Sequence, residues 1–335
     1  MNQIVNIIDV AKHAGVAKST VSNVLTGKKF VSEELRQRVL RACEELDYHP
    51  NFYASALSSK KTNIIALLLE SSSDVEQKMY KNLVAACIKE AAEHNYSILV
   101  YYNMDREKIL EVLRKGCAPI DGAVMMSPCI NDERLAQFNA QHINLVSVGR
   151  PESEDKFYYV DVDNVKLTRD TTLKLLACSS IEKDIYLINS DPELTISQDR
   201  INGFEMACSK CGIESSGRIF EREMLFNNEK RQTIVEKIKK GSIFITCDDI
   251  VAKEIYCIAK DKKLTISEDV SVFSLGRSID AGTFDPPLSY AKQDYSRLGK
   301  VAVSMLVDIM EGRECERIKL IRSEIIIGQS VKTLN

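Results

Sequence analysis

The chain has 335 residues, more than one small core accommodates, so we expect two or three domains. Its 44% hydrophobic and 28% charged residues, with only 14 Gly and 7 Pro, are typical of a globular protein and exclude a fibrous or largely disordered one. The net charge of −3 is uneven: residues 1–62 carry nine Lys and Arg against six Asp and Glu, which leaves +3 there and −6 in the remainder. A basic end on an acidic body indicates a segment that faces nucleic acid.

The amino terminus lacks a basic stretch followed by a long apolar run, so we expect no secretory signal. No apolar run approaches the roughly 20 residues that cross a bilayer, so no membrane partner is expected. The ten cysteines are scattered, and Cys208 and Cys211 form the only CxxC pair. Such a pair serves as a redox or metal site in some proteins, but we interpret these residues as ordinary thiols in a reducing cytoplasm. We therefore expect no metal and no cofactor.

Two short helices are predicted at the amino end. Asn6 is a good N-cap for a helix that begins at Ile7, and Gly15 suits the left-handed turn that closes it. A second helix is predicted from Lys18 to Leu25, with its apolar residues on one face. Two helices joined by so short a connection favour a helix-turn-helix.

A third helix and a short fourth one complete the amino-terminal pattern. Ser32 is predicted to cap the third helix, whose apolar stripe closes a three-helix core. Pro50 ends that helix, Asn51 is the predicted cap of a short helix over 51–58, and residues 58–62 are typical of a linker. A helix this short is marginal alone, so we expect it to need a partner such as its dimer mate and DNA.

From residue 63 onward, short apolar runs alternate with helical patterns. This alternation predicts an α/β body with parallel sheets covered on both faces, and about 270 residues favour two lobes over one. The predicted strands are Ile64–Leu69, Ser97–Tyr101, Ala123–Met126, Leu145–Val148, Ile185–Ile188, Ile243–Thr246, Val270–Phe273 and Glu324–Ile327. The predicted helices include Met79–Glu93, Lys166–Leu176 and Ile250–Ala259.

Several stretches are similar to the LacI/GalR family of bacterial transcription regulators. The similarity is densest over Ile8–Gly27, which reads IDVAKHAGVAKSTVSNVLTG, and continues through Val31–Ser32, Tyr48–Asn51, Ala54 and Leu57. In the body it is thinner and is carried by Asp121–Gly122, Ser147–Arg150, Asp163–Asn164, Arg200–Phe204, Asp248–Asp249, Asp269–Val272, Pro287–Ser289 and Gln293.

The resemblance implies an all-α helix-turn-helix head followed by an α/β body of two periplasmic-binding-protein-like lobes. The implied domains are a head over 1–50, a hinge helix and linker over 51–62, a first lobe over 63–163 plus 294–322, and a second over 164–293 plus 323–335. The lobes are expected to exchange chain near residues 163, 293 and 322. Ligand is then expected between the lobes, where strand ends converge.

The resemblance also implies which residues contact DNA: Lys18, Ser19, Thr20, Ser22, Asn23, Asn51 and Leu57. The second helix is expected in the major groove, where Lys18 suits guanine acceptors and Asn23 suits adenine, with hydroxyls of the same helix on phosphates. Packing of Thr20 within the turn is an alternative. Leu57 is expected to wedge into the minor groove and bend the DNA, or else to pack on the dimer face of the hinge. Many relatives have Arg at position 23 and Ser at position 17.

For the effector cleft, the resemblance implies Ser71, Tyr80, Ser127, Asp161, Arg200, Asp248 and Arg277. Arg200 is the strongest candidate, because the family uses this arginine to bind a ligand hydroxyl or carboxylate, although a surface salt bridge is an alternative. Asp249 is interpreted either as a cleft residue or as the cap of the helix that follows. Sugar-binding relatives often carry aspartates where this chain has Gly149 and Arg277, so an anion such as a sugar phosphate or an organic acid is favoured.

These patterns predict a cytoplasmic, nucleoid-associated homodimer that represses transcription from a roughly palindromic double-stranded operator. A carbohydrate-like or anionic effector is expected to move the lobes and thereby shift operator affinity. No P-loop, GxGxxG, GxSxG or HExxH motif is present, so we do not expect an enzyme. The alternatives are a regulator controlled by a protein corepressor and a non-exported solute-binding protein.

Overall fold

The computed structural model describes residues 5–27, 29–49, 61–69, 74–102, 106–114, 120–178, 184–276 and 283–332. The chain divides into two compact units, Met1–Thr62 and Asn63–Asn335. Among the helices of these ranges, none combines the length and the apolar character that crossing a membrane requires.

Three helices form the amino-terminal unit: α1 (Ile7–His13), α2 (Lys18–Thr26) and α3 (Glu33–Glu45). The Asn6 side chain accepts hydrogen bonds from the N–H groups of Ile8 and Asp9, which confirms the predicted N-cap. Gly15 lies at φ +62°, as the predicted turn between α1 and α2 requires. Ser32 occupies the N-cap position of α3, as predicted, although its side chain makes no capping hydrogen bond. The helices share a core of Val10, Ala11, Ala14, Val21, Val39 and Ala42.

The first lobe of the body is built on a sheet of six parallel strands. These are β1 (Ile64–Leu69), β2 (Ser97–Tyr102), β3 (Gly122–Met126), β4 (Asn144–Val148), β5 (Tyr158–Val162) and β11 (Ile318–Ile321). Their order in the sheet is β11-β5-β4-β3-β1-β2. The helices of this lobe are α4 (Asp74–Glu93), α5 (Arg106–Arg114), α6 (Glu133–Ala140) and α12 (Tyr295–Met310).

The second lobe repeats this architecture with six further strands. These are β6 (Ile185–Asn189), β7 (Ile219–Glu221), β8 (Ser242–Thr246), β9 (Val270–Ser274), β10 (Ser289–Lys292) and β12 (Glu324–Ile326), in the order β12-β10-β9-β8-β6-β7. The edge strand β12 runs antiparallel to β10, which departs from the predicted all-parallel sheets. The helices of this lobe are α7 (Asn164–Cys178), α8 (Thr195–Lys210), α9 (Glu223–Phe226), α10 (Arg231–Val235) and α11 (Asp249–Asp261).

The chain crosses between the two sheets three times: after β5, after β10 and between β11 and β12. Each sheet has buried central strands, and all five residues of β3 and of β8 are buried. Because the strands are buried on both faces, they read as continuous apolar runs rather than alternating ones. Polar residues that follow the carboxyl ends of the strands lie near these crossings, where the two lobes meet.

Gly203 allows α7 and α8 to pack closely. A Cβ atom at this position would lie 2.3 Å from the carbonyl oxygen of Val165 and 3.0 Å from the backbone nitrogen of Arg169. Neither backbone atom can move without separating the helices. We expect Gly203→Ala to lower the free energy of unfolding by about 1–3 kcal/mol in chemical denaturation, despite the better helix propensity of alanine. Ser209→Ala, at an exposed position of the same helix, is the control, and equal stability of the two variants would contradict this packing role.

Candidate functional site

Helix α2 presents a polar surface at its amino end. Lys18 and Ser19 are exposed, whereas Val21 is completely buried against the other two helices of the head. Ala17 precedes the helix in an extended conformation and has no side-chain oxygen to cap it. The first N–H groups of α2 therefore lack the usual side-chain acceptor and are available to a phosphate of DNA.

The remaining predicted DNA contacts divide into described and undescribed residues. Thr20, Ser22 and Asn23 lie on α2 and are partly buried at the border between the core and the exposed surface. The structure thus brings five of the seven predicted residues onto one helix. Asn51 and Leu57 lie outside the described residues, and their roles stay predictions.

In the body, several polar side chains interact electrostatically with Tyr295, the first residue of α12. Burial raises the pKa of Tyr295, the positive charge of Arg200 opposes the shift, and Tyr80, Asp249 and Asp161 reinforce it. These four residues therefore lie within electrostatic reach of Tyr295. Tyr80 Oη is also 3.0 Å from Oγ of Ser127 at the end of β3. We call the six residues Tyr80, Ser127, Asp161, Arg200, Asp249 and Tyr295 the cleft cluster.

Arg200 is the unusual member of the cleft cluster. It lies on α8 and is only 4% exposed, and its Nε has no hydrogen-bond partner among the described residues. A buried donor without an acceptor is unfavourable by about 1–3 kcal/mol, and more when it is charged. Such a guanidinium is suited to an oxygen of a bound ligand. The alternative of a surface salt bridge is excluded by this burial.

Asp161, at the end of β5, is held by hydrogen bonds rather than by a cation. It accepts from the N–H groups of Val162 and Arg150, at 2.7 and 2.9 Å, and from Nδ2 of Asn164 at 3.2 Å. Burial raises the pKa of Asp161 to about 6; the two backbone donors oppose the shift, and the charge of Asp199 adds to it. This carboxyl therefore titrates closer to neutrality than an exposed aspartate does.

Asp248, and not Asp249, caps the helix that follows β8. Asp248 is the N-cap of α11: its Oδ1 accepts from the N–H groups of Ile250 and Val251. Its Oδ2 lies 2.9 Å from Nη1 of Arg222. The alternative that Asp249 caps this helix is wrong, because Asp249 is the first residue within the helix and is fully buried. Both oxygens of Asp248 are occupied by groups of the protein.

Direct contacts join the two lobes next to the cleft cluster. Arg150, after β4, donates to both carboxylate oxygens of Asp199 on α8, with a shortest distance of 2.7 Å. The carbonyl oxygen of Pro128 accepts from the backbone N–H and the hydroxyl of Thr195, at 3.2 and 3.1 Å. The N–H of Ile130 donates to the carbonyl of a third residue of the second lobe, Glu193.

The backbone conformation and the close approach of Pro128 leave no room for a side chain at Gly149. Its φ is +110°, and a Cβ atom would lie 2.7 Å from Cδ of Pro128. An aspartate at this position would be strained and would displace the loop that contacts Thr195. Glycine at position 149 therefore allows the Pro128 loop to approach the end of β4 closely, and an aspartate carboxylate would not fit there.

Two predicted cleft residues, Ser71 and Arg277, lie outside the described residues. The residues that sequence reasoning missed are Tyr295 and Asp199. Tyr295 follows the helix cap Asp294, and no motif distinguishes it from an ordinary first-turn residue. Asp199 directly precedes Arg200, but only the fold reveals its partner, Arg150.

The cysteine pair does not form a site in the described structure. Cys208 is fully buried on α8, Cys211 is half-buried at its end, and neither forms a disulfide bond. Burial raises the pKa of Cys208 to about 11, which disfavours the reactive thiolate. Within the described ranges, no group of three or more His, Cys, Asp or Glu is arranged to hold a metal ion.

A helix-turn-helix head in one chain with a two-lobed α/β body defines the class of DNA-binding transcription regulators. Residues 6–51 match the bacterial regulatory proteins of the lacI family, and residues 180–331 match the periplasmic binding protein-like domain. The chain thus combines a DNA-binding domain of the lacI family with a periplasmic binding protein-like domain.

Several curated relatives are similar over nearly the whole chain. Catabolite control protein A of Streptococcus mutans is 28% identical, with 98% of this chain and 96% of the relative covered. The transcriptional regulator RegA of Clostridium saccharobutylicum is 27% identical, with 93% and 94% covered. The transcriptional repressor PurR of Histophilus somni is 27% identical, with 98% and 99% covered. These relatives regulate transcription, which confirms the prediction that this chain is not an enzyme.

Solved structures share the fold. A Lac repressor dimer bound to operator and an anti-inducer superposes with a TM-score of 0.81 at 20% identity and covers 99% of this chain and 100% of its own. The regulator CelR in complex with cellobiose has a TM-score of 0.70 at 21% identity, with 97% and 99% covered. The predicted fold class is confirmed.

Proposed function

We propose that this protein is a dimeric repressor whose operator affinity is switched by a small molecule bound at the cleft cluster. The observation that carries the proposal is the buried Arg200 guanidinium, whose Nε has no partner among the described residues. A ligand that bears a carboxylate, phosphate or hydroxyl oxygen would supply the missing acceptor. The complexes of CelR with cellobiose and of the Lac repressor with an anti-inducer support a small-molecule ligand.

An anionic effector is favoured over a neutral sugar. The carboxylates around Arg200 are either hydrogen-bonded within the protein or paired with arginines: Asp199 with Arg150, and Asp248 with Arg222. Gly149 removes one further carboxylate that sugar-binding relatives often have. These features leave Arg200 as the cleft charge best placed to bind a sugar phosphate or an organic acid.

Dimerisation is supported by the exposed edge of the first sheet. Strand β2 is an edge strand, and its Leu99, Val100 and Tyr102 are 37–43% exposed. Ile88 on the adjacent helix α4 is 49% exposed. Apolar side chains on an unpaired edge favour association with another chain, and we propose a second copy of this protein. A two-fold dimer would bind a roughly palindromic operator, as expected from the two heads.

The effector is to be identified by thermal-shift screening of the intact protein against sugars, sugar phosphates and organic acids. We expect members of one anionic class to raise the melting temperature by mass action and to change the affinity for operator DNA. If the protein binds operator but no compound changes either quantity, small-molecule control is contradicted, and a protein corepressor becomes the better explanation. A ligand that binds while no duplex is bound specifically would instead favour a solute-binding protein.

For DNA recognition, we expect Asn23→Ala to weaken binding to the preferred duplex by about 10–100-fold, because one base contact contributes roughly 1–3 kcal/mol. The duplex is first selected from a random pool with the unmodified protein, and affinities are compared by fluorescence anisotropy. Gln37→Ala removes an exposed amide from α3 and serves as the matched control. Equal losses on the selected and a shuffled duplex would contradict base recognition by Asn23, because a phosphate contact is independent of sequence.

A further inference from the structure

Strand β11 leaves one side of its backbone unpaired at the edge of the first sheet. Its one neighbour among the described strands is β5, and the N–H of Tyr159 donates to the carbonyl of Arg317 at the start of their parallel ladder. Alternate residues of such a ladder bond the neighbouring strand, so the N–H and C=O groups of Ile318 and Leu320 face away from β5. Among the described residues, no hydrogen bond from outside the ladder reaches these groups. The outer edge of β11 is therefore open to a further strand.

The side chains of Ile318 and Leu320 form an uncovered apolar strip along this edge. Successive side chains of a strand point to opposite faces of the sheet, so these two share one face and Ile321 lies on the other. Ile321 is buried in the core that includes the apolar residues of α12, whereas Ile318 and Leu320 are 40% and 53% exposed. Exposed apolar side chains on an open edge are typical of a surface that another chain covers.

The charges along β11 are positive. Lys319 lies within the strand, Arg317 and Arg322 flank it, and no Asp or Glu occurs from residue 317 to residue 322. Lys319 and Arg322 have no ion-pair partner in the part of the chain that the structure describes. Glu316 and Glu324 bound this stretch on either side. The edge is thus a basic strip on a body that is acidic as a whole, and it favours an acidic partner.

A depression of about 470 Å³ continues the edge where the chain crosses from β11 to β12. Its apolar wall includes Leu320, Ile325 and, from helix α7, Leu167. Its charged wall residues are two cations and two carboxylates: Lys166, Arg322, Asp163 and Asp170. Asp170 is already paired with Arg169 at 2.8 Å. The apolar strip therefore leads into a recess that can hold the end of a strand lying along β11.

We propose that β11 binds an extended segment of a partner protein in which apolar and acidic residues alternate. Side chains of the added strand that stand opposite Ile318 and Leu320 lie on the same face and would be apolar. Those opposite Lys319 lie on the other face and would be acidic. Backbone hydrogen bonds to the open edge would hold the segment, and the side-chain pairs would select it.

A second copy of this chain fits the β11 edge poorly. Two β11 edges that paired with each other would bring the three cations of one copy against the same three of the other, which is unfavourable. Strand β2, the edge proposed above for the dimer, contains no charged residue. The partner site is thus separate from the dimer interface, and it does not depend on the effector or on its identity.

The test uses a capped peptide of alternating valine and glutamate, titrated into the intact protein by calorimetry. We expect saturable binding of one peptide per protomer, which weakens as salt is added. Two control peptides are expected to bind at least about ten-fold more weakly: one with lysine in place of glutamate, and one whose backbone amides are methylated and cannot donate. Binding of the lysine peptide with equal affinity would overturn the proposal, as would the absence of saturable binding.

Two variants of β11 test the charge and the backbone separately. Lys319→Glu is expected to weaken binding of the glutamate peptide about ten-fold and to strengthen binding of the lysine peptide, because it reverses the central charge. Lys210→Glu makes the same change at an exposed position of α8 and should leave both affinities unaltered. Leu320→Pro removes an N–H that the β5 ladder does not use and is expected to cost about ten-fold, whereas Leu320→Val keeps that N–H.

The melting temperature of each variant is measured alongside, and if Leu320→Pro does not fold, the reversal of peptide preference in Lys319→Glu decides. Equal losses in Lys319→Glu and Lys210→Glu would contradict the site, because they would show a response to overall charge alone. If Lys319→Glu instead changes the oligomeric state in light scattering and leaves peptide binding unaltered, β11 is an interface between copies of this chain, and the proposal is wrong.

Discussion

Replacing Asp132 by alanine is expected to lower the free energy of unfolding by about 3–5 kcal/mol, because it leaves the buried charge of Arg134 without its partner. Arg134 is completely buried, and its Nε and Nη2 lie 2.9 and 2.6 Å from the two carboxylate oxygens of Asp132. Asp132 also accepts from the N–H of Cys129 and caps helix α6. One substitution therefore removes an ion pair, a loop contact and a helix cap.

The stabilisation that the Asp132–Arg134 pair contributes is expected to decrease only at low pH. Burial raises the pKa of Asp132, but the hydrogen bonds and the charge of Arg134 outweigh that effect, so the net shift is downward. A carboxyl with a lowered pKa stabilises the fold above its ordinary pKa, and this contribution is lost as pH falls through the lowered value. The difference between the wild type and Asp132→Ala should thus be constant near neutral pH and shrink only in strong acid.

The control is the double variant Asp132→Ala with Arg134→Met, which also removes the charge of Arg134 and keeps an apolar side chain of similar length. We expect urea denaturation to show the double variant as more stable than Asp132→Ala alone. If the single and double variants are equally stable, the buried charge is not the cause of the loss. The pair also matters for the contact between lobes, because Arg134 Nη2 donates to the carbonyl of Ser127, next to Pro128.

Replacing Arg200 by methionine is expected to reduce effector affinity by roughly 10–100-fold, because a charged hydrogen bond contributes about 1.5–3 kcal/mol. Operator affinity without effector should stay unchanged. Stability is the distinguishing measurement: since Nε has no partner among the described residues, a methionine of similar length should leave the melting temperature unchanged or raise it. An arginine with a structural role would show the opposite, a lower melting temperature.

The effector found by screening is the probe for this experiment, measured by calorimetry and by operator binding. Arg200→Lys is the matched variant, because it keeps the charge but loses the planar arrangement of donors. We expect it to recover only part of the affinity for a carboxylate or phosphate. An unchanged dose-response in Arg200→Met would remove Arg200 from the effector site while leaving the DNA-binding function intact.

Much of the fold could be predicted because its signals are local. The alternation of apolar runs and helical patterns located β1, β3, β4, β6, β8 and β9 to within a residue. Strands such as β11 were missed, because its Ile318 and Leu320 are exposed on a sheet edge and its run of four residues is too short to be distinctive. The edge strands β2 and β12 were nevertheless predicted to within a residue, whereas β5 and β10, which lie inside the sheets, were missed along with β7 and β11, so the position in the sheet alone does not decide which strands a local pattern detects.

The site was predicted less completely, for a related reason. Asp248 and Asp249 both suit the start of a helix, and the fold decided between them through Arg222, which is 26 positions away in sequence. Tyr295 joins the cleft cluster only because α12 follows the second crossing and returns to the first lobe. The polar residues of the cluster come from both lobes, and the sequence places them far apart.

The sequence by itself determined the local features of this protein: the Asn6 cap, the Gly15 turn, the exposed Lys18 and Ser19 on a helix with a buried Val21, and the dense family similarity around them. Each depends on residues within a few positions of one another. Only the tertiary structure decided that Arg200 is buried with an unpartnered Nε, and that β11 leaves the backbone of Ile318 and Leu320 unpaired at a sheet edge. Burial and hydrogen-bond satisfaction depend on the approach of distant segments, which exclude water together.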